Sequence, residues 1–456
     1  MPARRNLLYL NAPNWLHEFK PFLGTPNYER ILFMNDMSTI PPEVSANERS
    51  YALPKTCAIA ICLDGCEPAY LDEAIAAGLM PTLNRIKTEG TVRLAHSVIP
   101  SFTNPNNLSI ATGRPPAVHG ICGNFLYDPD TGSEVMMNDV KFLRAPTIFS
   151  QFYNAGKKVA VVTAKDKLRA LLGAGLKFDE GRAFCFSAEK SDTTTVEEHG
   201  IDNTSAWLDT PVPEVYSAGL SEFVFIAGVK LLKEQRPDVM YLTTTDYVQH
   251  KHAPGAPEAN AFYEMFDKYL TELDALGAAI VITGDHGMKP KHGADGSPSV
   301  IYLQDLFDEW LGEAEARVIL PITDPYVVHH GALGAFATAY LPEGADEAGL
   351  IAKLEAIDDI LLVLNRKDAC ARFELPEDRM GDLVIISGEN MTVGTSEHRH
   401  DLAALNEPLR SHGGLTEQEV PFIVNRVLAA LPDAPELRNF DAFFYATKAA
   451  AQTPAS

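Results

Sequence analysis

Short apolar runs that each lead to an aspartate are the feature of this sequence that most constrains its fold. The runs span residues 57–63, 239–243 and 280–283, and they lead to Asp64, Asp246 and Asp285. Apolar runs rich in valine and isoleucine are typical of strands buried on both faces, as in α/β proteins. An acid at the end of such a strand is costly to bury unless it is paired or bound to a metal, although a turn or helix-cap role for Asp64 stays open. The pattern predicts an α/β fold with a polar site at its strand ends.

The run Gly284-Asp285-His286-Gly287 follows the third of these predicted strands. In a regular strand neighbouring side chains point to opposite faces, so an aspartate and the next histidine could not bind one target. Glycine on each side allows the backbone to leave the extended form and turn both groups to one point. We interpret Asp285 and His286 as candidate metal ligands, and the alternative is an Asp-His hydrogen bond within a loop.

The charge and the cysteines exclude several classes of function. A formal net charge of -23 argues against nucleic acid as a bulk partner, because phosphate contacts need a basic surface. An anionic substrate would therefore need local positive charge, which a metal pair could supply. No apolar run reaches transmembrane length, so we expect no membrane partner. The N-terminus does not read as a secretion signal, and the six cysteines form no paired CxxC modules, so we expect a cytoplasmic protein with reduced thiols.

Two further histidines are candidate ligands. His250 lies four residues after Asp246, and on a helical turn two such residues share a face and can bind one ion. His412 precedes Gly413 and Gly414, but a single histidine at such a turn is also common in ordinary structure.

Thr103 directly precedes Asn104 and Pro105, which predict the start of a helix. Backbone N–H groups and the helix dipole favour a phosphate at this point, although Thr103 could simply be a second capping hydroxyl. A threonine hydroxyl becomes a nucleophile only when its pKa is lowered, for example by a metal ion. The candidate ligands are then Asp64, Thr103, Asp246, His250, Asp285, His286 and His412. Seven oxygen and nitrogen ligands without sulfur fit two zinc ions better than one.

Two lysines and an asparagine are candidate binding residues. Lys165 and Lys167 flank Asp166 at the predicted start of a helix, where a positive charge opposes the helix dipole. This placement favours a role in binding an anion, but a pair of solvated lysines fits equally well. Asn124 lies in a predicted loop and could donate to a phosphoryl oxygen or be a turn residue.

The order of these motifs resembles that of the alkaline phosphatase superfamily. The motifs are Asp-Gly at 64–65, Thr-Asn at 103–104, Asp-x3-His at 246–250, Gly-Asp-His-Gly at 284–287 and His-Gly-Gly at 412–414. Within the superfamily Thr103, Asn124, Lys165 and Lys167 resemble the phosphonoacetate hydrolase family, near the nucleotide pyrophosphatase/phosphodiesterase branch. The resemblance implies an alkaline phosphatase-like three-layer α/β/α core with a mostly parallel central sheet and a smaller inserted cap domain.

The same resemblance assigns roles to the candidate residues. It gives one zinc ion Asp246, His250 and His412. It gives the other zinc ion Asp64, Thr103, Asp285 and His286. Asn124 and the backbone N–H of Asn104 would hold phosphonyl oxygens, and Lys165 and Lys167 would bind the substrate carboxylate. Mn²⁺ and Fe²⁺ remain alternatives to zinc, and a homodimer is compatible with the resemblance.

We therefore expect a di-zinc hydrolase that acts on phosphonoacetate, a small anionic phosphonate. It would release acetate and phosphate through a phosphothreonine at Thr103. One alternative is a phosphodiesterase or nucleotide pyrophosphatase of the same superfamily, with Phe125 and Tyr127 forming a slot for a base. Another is a binding protein that keeps its metals for structure alone.

The expected domains are approximate in their boundaries. They are an N-terminal arm at 1–52, a catalytic core at 53–292 and 406–446, an inserted cap at 293–405 and a flexible tail at 447–456.

Overall fold

The computed structural model describes residues 43–128, 131–178, 180–323, 331–405 and 407–452. The predicted arm before residue 43 and the tail after residue 452 lie outside the described residues. The first strands are β1 (Glu43–Ala46), β2 (Arg49–Ala52), β3 (Ala58–Cys62), β4 (Thr91–His96), β5 (Phe125–Asp128), β6 (Ser133–Met136), β7 (Val159–Thr163), β8 (Ala183–Ser187), β9 (Val239–Thr243) and β10 (Ala279–Thr283). The later strands are β11 (Lys289–Pro290), β12 (Val300–Tyr302), β13 (Arg317–Ile319), β14 (Phe336–Tyr340), β15 (Ile360–Asn365), β16 (Leu383–Ser387), β17 (Thr392–Gly394), β18 (Arg410–Ser411) and β19 (Glu419–Val424).

Helices connect most of these strands. In chain order they are α1 (Pro68–Ala76), α2 (Pro81–Glu89), α3 (Thr103–Thr112), α4 (Pro116–His119), α5 (Ile148–Asn154), α6 (Asp166–Leu172), α7 (Val196–His199), α8 (Thr204–Leu208), α9 (Gly219–Glu234), α10 (Tyr247–Lys251), α11 (Pro257–Ala275), α12 (Leu303–Leu311), α13 (Glu347–Glu355), α14 (Arg366–Phe373) and α15 (Ala442–Ala451). Among the described residues, no helix is both long enough and apolar enough to cross a membrane.

The central sheet has the strand order β4-β19-β10-β3-β9-β7-β8. Strands β10, β3, β9, β7 and β8 pair in parallel, and β19 pairs antiparallel with both β10 and β4. Parallel neighbours need long crossover connections, which the intervening helices provide. The prediction of a mostly parallel central sheet is therefore confirmed.

Side chains of the central strands alternate between two hydrophobic clusters. In β3, Ala58, Ala60 and Cys62 join one cluster, whereas Ile59 and Ile61 join the other. Helix α15 packs on β3 and β10 within the first cluster, and α9 packs on β7 and β9 within the second. Since both faces of the sheet are covered, nearly continuous apolar runs form these strands. The sheet is thus the middle of three layers, as predicted.

A second, smaller sheet lies between β11 and β18 in the chain. Its order is β13-β14-β16-β15, and every neighbouring pair is antiparallel. Helices α13 and α14 pack on β15, and the buried residues Phe336 and Ile385 join the first hydrophobic cluster of the core. This sheet falls within the segment 293–405, for which the boundaries and the role of a cap stay a prediction.

The described ends of the chain are ordered parts of the core. Strands β1 and β2 form an antiparallel hairpin that packs on α5 and α15, and Tyr51 within it is fully buried. Helix α15 continues to Ala451, so residues 447–451, which we assigned to a tail from the sequence, form the second half of this helix.

Four neighbouring parallel strands end at one level, and this level positions the candidate site. The last residues of β10, β3, β9 and β7 are paired side by side, and they are Thr283, Cys62, Thr243 and Thr163. Asp285, Asp64, Asp246 and Lys165 lie two or three residues beyond these four strand ends. The carboxyl edge of the parallel sheet is where α/β proteins generally bind ligands.

Candidate active site

A cavity that opens to solvent lies at this edge of the sheet. Its lining includes the predicted site residues Asp64, Thr103, Asn104, Asn124, Lys165, Lys167, Asp246, His250 and His412. The remaining predicted ligands, Asp285 and His286, are fully buried and contact Asp64 and Thr103 from behind the cavity wall. The structure therefore brings all of the predicted site residues to one place.

The first group of candidate ligands is Asp246, His250 and His412. Their nearest ligand atoms all lie within 4.8 Å of one another. His250 is in the short helix α10, so it lies one turn from Asp246, and its Nε2 is 2.9 Å from Oδ2 of Asp246. Nε2 of His412 is 3.6 Å from the same carboxylate oxygen. A carboxylate and two imidazoles in this arrangement can hold one divalent cation.

The second group within 4.8 Å is Asp64, Asp246 and His286. Nε2 of His286 is 3.2 Å from Oδ1 of Asp64 and 3.8 Å from Oδ2 of Asp285. Asp246 thus contributes to both groups, whereas the sequence-based assignment gave it to one ion only. The carboxylate of Asp285 accepts hydrogen bonds from the backbone N–H of Gly65 at 3.2 Å and of His286 at 3.0 Å.

Main-chain carbonyls orient the three histidine rings. Nδ1 of His250 donates to the carbonyl of Arg410 at 2.8 Å, and Nδ1 of His412 donates to Ser101 O at 2.8 Å. Nδ1 of His286 donates to Gly287 O at 2.9 Å. Because a carbonyl can only accept, each Nδ1 carries a proton, and each Nε2 faces the carboxylates of the site. Bound metals in proteins commonly have histidine ligands supported in this way.

Mutual repulsion among the buried acids also fits a cation site. Burial, with the charges of Asp246 and Asp285, raises the pKa of Asp64 well above its usual range. Burial and the charge of Asp246 raise the pKa of Asp285 to about 7. Burial, with the neighbouring imidazoles, lowers the pKa of His412, so this histidine is neutral and can act as a ligand. A divalent cation would favour the ionised carboxylates and needs neutral imidazoles, so the residues present fit metal ions.

Thr103 is the first residue of α3, and its Oγ1 is 3.5 Å from Nε2 of His286. Phe102 rather than Asn104 occupies the N-cap position, so Asn104 belongs to the first turn, where backbone N–H groups have no helical partner. Gly113 ends the helix in a left-handed conformation with φ of 67°, which glycine adopts without a steric cost. The hydroxyl of Thr103 therefore lies between the second ligand group and a helix N-terminus.

The cavity joins this hydroxyl to possible anion-binding groups. The N–H of Asn104 donates to Oδ1 of Asn124 at 3.3 Å, so both groups lie beside Thr103. Lys165 and Lys167 also line the cavity. Burial acts to raise the pKa of Asp246, but His250, His412 and, to a smaller extent, Lys165 hold it well below its usual range. Lys165 occupies the N-cap position of α6, and Asp166 is the first residue of the helix.

Sequence reasoning missed a residue that orients the second ligand group. Asn107, one turn after Thr103 in α3, donates from Nδ2 to Oδ2 of Asp285 at 3.1 Å. Its own Oδ1 accepts from the hydroxyls of Tyr241 at 2.7 Å and Thr243 at 2.9 Å. The spacing of four residues from Thr103 was the signal that could have indicated it.

Comparison with known proteins assigns the family. The family model described as type I phosphodiesterase / nucleotide pyrophosphatase matches residues 58–415. The chain belongs to this family. The matched range includes every candidate ligand, and it confirms the family resemblance inferred from the motif order.

Several solved structures are similar to the chain over most of its length. The phosphonoacetate hydrolase of Sinorhizobium meliloti 1021, in complex with phosphonoacetate, is 77% identical, with a TM-score of 0.89 over 90% of this chain and 100% of that chain. A second structure of it holds phosphonoformate. Murine ectonucleotide pyrophosphatase/phosphodiesterase 5, in an inactive form with AMP, is 17% identical, with a TM-score of 0.59 over 88% of this chain and 96% of that chain, and shares the fold.

A curated relative is less similar. An uncharacterised pyrophosphatase/phosphodiesterase of Schizosaccharomyces pombe is 25% identical over 264 residues, which is 55% of this chain and 47% of that protein. The chain therefore spans less than half the length of this relative.

Proposed function

We propose that the protein is a phosphonoacetate hydrolase, which cleaves the carbon–phosphorus bond of phosphonoacetate to give acetate and phosphate. The observation that carries this proposal is the 77% identity to an enzyme of that name crystallised with phosphonoacetate, which the chain covers completely. The cavity supports the proposal, since it joins two candidate metal groups to a hydroxyl and two lysines. Zinc is the proposed metal, in two ions per chain, because the ligands are carboxylates, imidazoles and a hydroxyl without sulfur.

The charge balance of the site indicates a substrate-binding role for Lys165 and Lys167. Two divalent ions would be neutralised by the carboxylates of Asp64, Asp246 and Asp285 together with a Thr103 alkoxide. A multiply charged phosphonoacetate would then find little attraction in a protein whose formal net charge is -23. Lys165 and Lys167 line the same cavity and supply the missing positive charge, so we assign them to the substrate carboxylate.

The proposed chemistry begins at Thr103. Its Oγ1 forms a bond to phosphorus while the carbon–phosphorus bond breaks, and the electron pair passes to the methylene carbon. A carbanion can leave here only because its charge is delocalised into the carboxylate as the enediolate of acetate. The two lysines stabilise that charge until water protonates the carbon. Bound divalent ions would lower the pKa of the Thr103 hydroxyl and of the water that later releases phosphate.

Main-chain and amide donors would hold the phosphonyl group during this step. The N–H of Asn104, in the first turn of α3, now donates to Asn124 Oδ1 at a long 3.3 Å, so a phosphonyl oxygen can replace that weak bond. The Nδ2 group of Asn124 would then donate to a second oxygen. Both donors act where negative charge builds up in the transition state.

The experiment that tests the proposed function is an assay of phosphate release from phosphonoacetate. We expect the purified protein to release phosphate, to lose that activity when a chelator removes its metals, and to regain it when Zn²⁺ is restored. Acetate should appear in equal amount. A protein that binds zinc but releases no phosphate from phosphonoacetate would contradict the proposal.

A diester substrate belongs in the same assay because the family includes phosphodiesterases. From the sequence we considered Phe125 and Tyr127 as a slot for a base. Neither residue is among the described residues that line the cavity. Tyr127 instead packs against Tyr340, with ring centroids 5.0 Å apart, and beneath the guanidinium of Arg317. We therefore expect slower turnover of a dinucleotide or an aryl diester than of phosphonoacetate, and the reverse order would favour the phosphodiesterase.

Replacing Lys165 or Lys167 by alanine should lower kcat/KM for phosphonoacetate by about 10- to 100-fold, as expected for loss of a charge-assisted hydrogen bond. An aryl phosphate ester, which has no carboxylate, should lose much less. Lys177→Ala is the matched control, since this exposed lysine follows the same helix but does not line the cavity. Equal losses on both substrates would remove the two lysines from carboxylate recognition.

The cellular location and the oligomeric state are also proposals. All six cysteines are free thiols, which supports a reducing compartment, and we propose the cytoplasm. We also propose that the protein is a homodimer. Size-exclusion chromatography with light scattering tests this proposal, and a monomer mass would contradict it.

A further inference from the structure

Arg410 is a buried arginine whose hydrogen bonds reach the main chain near two of the candidate ligands. Its Nε donates to the carbonyl of Gln249 at 3.0 Å, and Nη2 donates to the carbonyl of Met288 at 3.2 Å. Nη2 also donates to the phenol oxygen of Tyr70 at 3.1 Å, and the residue is only 7% exposed. An arginine with these partners is unusual, because burying a charged group is costly unless specific contacts compensate it.

These contacts connect the three segments that carry the histidines. Gln249 directly precedes His250, and Met288 lies two residues after His286. Arg410 itself lies two residues before His412, in β18, which pairs with β11 just beyond Met288. Its own carbonyl accepts the Nδ1 proton of His250. One residue therefore fixes the relative positions of a helix, a loop and a strand that approach the site from distant parts of the chain.

We propose that Arg410 is a positioning residue that sets the geometry of the metal ligands. The inference rests on the proposed function, since it assumes that the two ligand groups bind metal. The planar guanidinium can donate in two directions at fixed angles, toward Gln249 O and Met288 O, whereas a lysine ammonium would be a flexible point charge. Metal-ligand distances tolerate little error, so loosening these segments should weaken metal binding.

The test measures Zn²⁺ affinity directly, by competition with a chromogenic chelator, in Arg410→Met and Arg410→Lys. Methionine keeps an unbranched apolar stem and the main-chain carbonyl that holds His250 but removes the donors. We expect Zn²⁺ affinity to fall by about 10- to 100-fold in the methionine variant, the usual cost of losing a group that supports a ligand. The lysine variant should lie between it and the wild type, and excess Zn²⁺ should restore phosphate release in both.

Arg426→Met is the matched control. Arg426 also donates to a main-chain carbonyl, that of Gly277 at 2.8 Å, but that carbonyl lies before β10, at the opposite end of the sheet. We expect this variant to lower the melting temperature of the metal-free protein without changing Zn²⁺ affinity.

Each outcome decides the question. Unchanged Zn²⁺ affinity in both Arg410 variants, with or without a lower melting temperature, would overturn the positioning role. If Arg410→Met does not fold, Arg410→Lys provides the measurement, and wild-type Zn²⁺ affinity in that variant would overturn the positioning role as well. A wild-type protein that binds no Zn²⁺ would instead refute the proposed function.

Discussion

Replacing Thr103 by alanine should reduce phosphonoacetate turnover by on the order of 10⁴-fold or more, as loss of an enzymatic nucleophile usually does. The hydroxyl is at the N-terminus of α3 and 3.5 Å from Nε2 of His286, so it lies between a helix start and the second ligand group. Initial rates of phosphate release, with metal content measured on the same samples, would check this result.

Thr103→Ser is the control for this prediction. Serine keeps the attacking oxygen but loses the methyl group that restricts the side-chain torsion, so we expect activity within about tenfold of the wild type, or about 1.4 kcal/mol. Acid quenching during turnover should trap a phosphorylated residue 103 in the wild type and in Thr103→Ser. Near-full activity of Thr103→Ala, or phosphate attached elsewhere, would exclude the covalent route.

Replacing Asp246 by asparagine should remove both metals together. Asp246 belongs to both candidate ligand groups, and its Oδ2 is within 3.6 Å of Nε2 of His250 and of His412. Loss of a residue that hydrogen-bonds to a metal ligand already lowers metal affinity by about 10- to 100-fold. Loss of a ligand shared by both ions should therefore lower it by more than about 100-fold. We expect metal content near zero after gel filtration and correspondingly little phosphate release.

The matched control is Asp238→Asn at the other end of the same strand. Asp238 directly precedes β9 and accepts a hydrogen bond from the N–H of Lys158 at 2.9 Å. This variant should lose some stability but keep the metals. If Asp246→Asn loses only one metal equivalent, the carboxylate serves a single ion, as the sequence-based assignment had it.

The strand-end acids could be predicted from sequence because an acid directly after an apolar run is recognisable, and its burial is costly without a partner. Asp64, Asp246 and Asp285 each follow an apolar run, and the run fixes both the strand and the place of the acid. That Asp246 contacts both ligand groups could not be predicted, since it depends on how β3, β9 and β10 lie side by side.

The supporting contacts were beyond sequence reasoning for a different reason. Arg410 binds carbonyl oxygens, and every residue has one, so no pattern of side chains reveals its partners. Tyr127 illustrates the opposite error. Its closeness to Asn124 in sequence suggested a place in the site, but the strand β5 directs its ring against Tyr340.

The common level at which β10, β3, β9 and β7 end limits how related sequences can differ in length. One residue inserted in any of these strands would move the following side chain by about 3.3 Å and turn it to the opposite face of the sheet. The acid or lysine beyond that strand would then miss the cavity. Insertions and deletions should therefore be confined to stretches outside the four strands, such as the long one between β11 and β18. The number of residues from each strand to its acid is a criterion for deciding which distant relatives keep this chemistry.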